Sequence, residues 1–175
     1  MRGFDKKAVV EVIGTAAIVA SLIFVGLQMR QAQNIAIAEQ YQNRGTSFRE
    51  STNSLLENQS ILRVMVEQVE SQYESGNGDD AFTDWYEAYG AEYVVEQYML
   101  HRANLVILET YYLTYQLGTM TDESWHAYQR RLKSGFRDPH FRSVYSNERE
   151  YLPESFQLLC DALIGEIESE AESVD

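Results

Sequence analysis

Residues 12–29 carry no charged side chain, and this run limits what the chain can fold into more than any other feature. Widened to residues 8–27, it becomes twenty residues with one charge, Glu11. A helix rises about 1.5 Å per residue, so twenty residues reach roughly 30 Å, the hydrocarbon thickness of a bilayer. Glu11 falls in the first turn, where a carboxylate reaches the headgroup layer and favours the positive end of the helix dipole. A cleaved signal peptide would share the basic start at Arg2, Lys6 and Lys7. Its apolar core is shorter, however, about 7–15 residues, and the triplet Ala36-Ile37-Ala38 lies well beyond the run. The core helix of a soluble domain is seldom apolar on every face. The run therefore predicts one transmembrane helix, with residues 1–30 forming a short basic N-terminus and anchor.

The remaining chain has room for one domain. Charge separates it sharply from the anchor. The net charge of the whole is −13, yet residues 31–175 hold ten Lys/Arg against 25 Asp/Glu. Such a domain repels nucleic acid and anionic lipid, because both are bound by neutralising phosphates with basic side chains. A single cysteine, Cys160, excludes an internal disulfide and falls on an apolar stripe, where a thiol acts as a small hydrophobe.

More basic residues precede the apolar run than closely follow it, since only Arg30 lies near its far end. The positive-inside rule then predicts a cytoplasmic N-terminus and an exported soluble domain. Within the run, Gly14, Ala17 and Ser21 share a helical face, and small residues allow close helix approach. That face is a candidate for self-association.

The stretch Val12-Ile13-Gly14, followed by residues 20–31 ending Leu27-Gln28-Met29-Arg30-Gln31, resembles the start of a large set of uncharacterised bacterial single-pass membrane proteins. In that set, one apolar helix ends in a Leu-Gln-x-Arg-Gln type sequence and a small helical domain follows. Asn104, Glu109, Tyr111, Tyr112, Gly118 and Trp125 also stand where that group would have them. The resemblance implies an inner-membrane helical protein and carries no activity.

Helical patterning continues beyond the anchor, which predicts an all-α chain: the transmembrane helix runs on into a stalk over 31–57, and a bundle of about five helices follows. Asn58 or Ser60 can cap a helix with Leu62, Met65, Val66, Val69 and Tyr73 on one face. Thr83 is the expected cap of the longest helix, 83–117, in which Gly90 is a weak point. Thr121 opens the next, to Gly135, and Asp138-Pro139 another, as cap followed by first-turn proline. Pro153 starts the last, with Phe156, Leu159, Cys160, Leu163, Ile164 and Ile167 as a core stripe. The acidic domain is read as 58–167, with a frayed acidic tail over 168–175.

No phosphate-cradling glycine loop, zinc-binding cysteine pair or His-Glu-x-x-His motif occurs, so neither catalysis nor a cofactor is expected. Glu109 is expected to pair with an arginine. Two features invite a functional reading. The segment 130–142 gathers Arg130, Arg131, Lys133 and Arg137, which could meet an anion or partner, or instead pair with carboxylates of the long helix. The tyrosines, Tyr111 and Tyr112 above all, suit either a wet core rim or a binding face. The sequence thus points to a membrane-tethered interaction or accessory subunit, with the bilayer and a protein or second copy as partners. The alternative is a membrane-bound sensor or enzyme with a pocket joining tyrosines and arginines.

Overall fold

A computed structural model describes residues 6–172. Arg2, part of the orientation signal, and 173–175 of the acidic tail lie outside the described residues. Seven α-helices and no strand are found there: α1 (Lys6–Glu57), α2 (Gln59–Glu74), α3 (Asp80–Tyr89), α4 (Ala91–Gln116), α5 (Asp122–Gly135), α6 (Pro139–Glu148) and α7 (Glu154–Glu172). One 3-10 turn, Arg149–Tyr151, joins the last two.

Anchor and stalk are one helix of 52 residues, about 78 Å long. None of its most apolar window is buried within the chain. Inside that window the Thr15 hydroxyl donates to the Glu11 carbonyl at 3.0 Å, so this polar group is satisfied by its own helix. From residue 34 the environment changes. Asn34, Ala38, Tyr41, Gly45, Phe48, Thr52 and Leu55 are buried or half-buried, while every other residue from 31 to 55 is exposed. Their alternating spacing of four and three is the seam of a coiled coil. This seam docks antiparallel on α4: Asn34 Nδ2 donates to the Leu117 carbonyl, Arg44 faces Glu109, and Arg102 lies over the Phe48 ring. At the centre of the seam, a Cβ on Gly45 would lie 3.1 Å from Thr110 Oγ1, tighter than an ordinary contact, so the glycine eases the close approach of the helices. The stalk is therefore part of the bundle rather than a separate segment.

Helix α4 is the axle, touching α1, α2, α3, α5 and α6. Its far side meets α5, α6 and α7 in the main core, where Phe136, Phe156, Leu132 and Cys160 are fully buried. Asn58 caps α2, Thr121 caps α5 and Asp138 caps α6 ahead of Pro139, as expected.

Two expectations are corrected. Asp79, not Thr83, caps the helix after the loop: its Oδ1 accepts from the Phe82 amide at 2.7 Å. The predicted helix over 83–117 is two helices, so six rather than about five follow α1. Gly90 separates them at φ 82°, ψ 169°, a region essentially restricted to glycine. The turn lets α3 fold back on α6, where buried Trp85 stacks on His140 at 3.9 Å. The acidic tail is also corrected. It stays helical to Glu172, because its carboxylates meet basic side chains described next.

Candidate functional site

The basic run does not stay together. Successive residues on a helix point about 100° apart, so neighbours in sequence face different surroundings. Lys133 Nζ binds Glu166 Oε2 at 2.7 Å and Glu170 Oε1 at 2.8 Å, and Arg137 reaches Glu170 Oε2 at 2.9 Å. Arg142 adds a longer pair to Glu168. The Lys133 ammonium, then Arg137, hold the Glu170 carboxyl below its ordinary range. These partners lie on α7 and not, as expected, on the long helix. Arg130 is exposed and has no carboxylate within 4.0 Å among the described residues. Arg131 also lacks one and turns instead toward Tyr128, its Cζ 5.9 Å from the ring centroid.

Tyr111 and Tyr112 separate for the same reason. Tyr112 is in the core, tilted against Trp125 and Phe156, with its hydroxyl donating to the Ser155 carbonyl. It is withdrawn as a contact residue. Tyr111 faces outward and stacks on Tyr128 at 4.0 Å with 25° between the rings. Gly14, Ala17 and Ser21 remain exposed on the apolar part of α1.

Arg131, Tyr111 and Tyr128 line an open groove of about 480 Å³ between α1, α4, α5 and the start of α6. Its floor includes Ile107, Leu108 and Phe141, and its rim Asn104 and Arg49. Arg49 comes from α1, at the position next to Phe48 of the seam, and like Arg131 has no carboxylate within 4.0 Å among the described residues. Beyond Arg49 the groove continues into a second depression, shared with Gln42, Thr46 and Thr110. Burial raises the Tyr111 hydroxyl above its usual pKa, Tyr128 adds to this, and Arg131 and Arg49 pull it back. At the α6 end, Asp138 is already engaged, Oδ1 accepting from the His140 amide and Oδ2 lying 3.8 Å from His101 Nε2. Burial pushes His101 below its ordinary value, against the pull of Asp138, so the ring is neutral at pH 7.

A different hollow, about 440 Å³, lies between α2, α3, α4 and α6. Part of its polar lining is engaged with other side chains. Asp79 Oδ2 accepts from the Ser143 hydroxyl at 2.6 Å while Oδ1 caps α3. Tyr98 donates to Glu148 at 3.0 Å, and burial with that carboxylate pushes its hydroxyl up to about 12. The arginine–tyrosine groove differs in its charge: the guanidiniums of Arg49 and Arg131 line it beside the Asn104 amide, whereas no basic side chain lines the other hollow.

Sequence reasoning missed Arg49 and Tyr128. The coiled-coil spacing of the stalk puts Arg49 beside the α4 interface, and Tyr128 stands three residues before Arg131, one turn away on α5. Both signals were in the sequence. Among the described residues, no three His, Cys, Asp or Glu converge as a metal site. No family model, curated protein or solved structure matches the chain.

Proposed function

We propose that this chain is a single-pass protein of a bacterial inner membrane, whose acidic helical bundle serves as an interaction or accessory subunit held at a fixed height above the bilayer. One observation carries this reading. Ile13, Ile18, Leu22, Ile23, Phe24 and Leu27 are each at least 60% exposed, on a helix that passes without a break into the docked seam. Removing a large apolar side chain from water is worth roughly 1.5–3 kcal/mol. A row of them along residues 12–29 calls for a bilayer around it. The seam supports the rest of the proposal, because a helix docked along α4 cannot swing freely. The bundle is thereby presented to partners as a rigid body.

Alkaline carbonate washing of membranes tests the reading. The chain should stay in the pellet at its full mass. Release into the supernatant, or a processed N-terminus beyond the apolar run, would refute it.

A further inference from the structure

We propose that the groove between Arg49 and Arg131 is a binding site for a small soluble carboxylate with an apolar body. The first support is the company that basic side chains keep. Of the ten in residues 31–175, Arg44, Arg102, Lys133, Arg137, Arg142 and Arg149 each reach a carboxylate. Carboxylates outnumber basic groups more than twofold there, so partners are plentiful. Yet Arg49 and Arg131, which come from different helices, line the same groove with no acid of the described residues within 4.0 Å. Both guanidiniums bear on the Tyr111 hydroxyl between them.

The lining also selects the ligand. A guanidinium presents a planar fork that matches a carboxylate, and the tyrosine pair with Ile107, Leu108 and Phe141 offers an apolar bed for the body attached to it. The volume, about 480 Å³, falls within the range of small-molecule sites. Phosphate suits the groove less well. It would bring a second negative charge toward Asp138, and that residue already occupies the N-terminus of α6. Lipid headgroups are excluded by distance, given the anchor proposed above. Arg49 lies twenty residues past Met29 on the same helix, about 30 Å along its axis.

Full-length protein in phosphatidylcholine nanodiscs, probed by saturation-transfer NMR, tests the assignment. Phenylacetate and 4-methylpentanoate should receive saturation from the protein, while phenylacetamide and inorganic phosphate should not. Arg49→Gln and Arg131→Gln should each weaken carboxylate binding at least fivefold with melting temperatures close to the parent protein. Arg130→Gln, the same charge change outside the groove, should leave it unaltered. The proposal fails if neither carboxylate binds, if the amide binds equally, or if the Arg49→Gln/Arg131→Gln double variant binds like the parent. It fails too if phosphatidylserine in the disc displaces the carboxylate, since a headgroup would then be the occupant.

Discussion

Glu109 places a carboxylate in the α1–α4 seam with 2% of its side chain exposed, and one of its oxygens, Oε1, has no hydrogen-bond partner. Arg44 offsets the charge at 3.5 Å, from a side chain that is itself 57% exposed. Burial outweighs that partner and raises the Glu109 carboxyl above its usual range. A raised carboxyl favours the folded state below the ordinary carboxylate pKa, and the contribution is lost as pH rises through the folded value. Glu109→Gln should therefore melt higher than the parent at pH 7, with the gap closing as pH falls toward 4. Arg44→Ala should melt lower at pH 7 and close to the parent at pH 4, where Glu109 is neutral. Thermal melts at both pH values check each sign. Leu163 makes the apolar contrast. It is 4% exposed on the α7 core stripe, so Leu163→Ala should cost about 2–5 kcal/mol in urea unfolding at either pH.

At the scale of the element, the α1 seam is the joint that decides whether the bundle is one body with its anchor. Gly45→Leu forces a side chain into Thr110, so α1 should lift from α4 while the α5–α7 core survives. Limited trypsin digestion should then cut fast at Arg44 and Arg49, while a fragment from Val64 onward, after Arg63, persists. Unchanged cleavage would mean that the seam tolerates the separation. Most elements could be read from the chain because their signals are local. A cap such as Thr121, or a proline after Asp138, satisfies the first amides of a helix within a few residues. The α7 stripe was equally legible, since Phe156, Cys160 and Leu163 follow one helical face. What was missed depended on packing. Gly90 breaks its helix because α3 gains Trp85 stacking on His140 by folding back, and no neighbour in sequence announces that gain. The site was half legible in the same sense. Arg131 and Tyr111 were singled out, but reading basic residues as a linear run joined Arg130 and Arg137 to them, although helical geometry sends each elsewhere.

At the scale of the whole molecule, one rod of about 78 Å has at one end an apolar stretch long enough to cross roughly 30 Å of hydrocarbon, as proposed, and at the other an acidic bundle. For a membrane-spanning α1, the side on which the bundle stands rests on charge alone, with Arg2, Lys6 and Lys7 before the apolar run and Arg30 just after it. The fold supplies its own reporter for this question. Cys160, the only thiol, is fully buried, and burial with the neighbouring Asp161 charge pushes its pKa well above the ordinary thiol range. Little thiolate exists at pH 7, so a maleimide should pass it by in the folded protein. Leu158, two residues earlier, is 63% exposed, and Leu158→Cys adds an accessible thiol without touching the core stripe. A charged maleimide that does not cross the inner membrane, added to intact spheroplasts, should label Leu158→Cys and leave the parent chain unlabelled. Denaturant should then reveal Cys160 in both. Labelling of Leu158→Cys only after lysis would put the bundle in the cytoplasm. The three basic residues before the run would then have been outweighed by those beyond it, Arg30 and, farther along the same helix, Arg44 and Arg49.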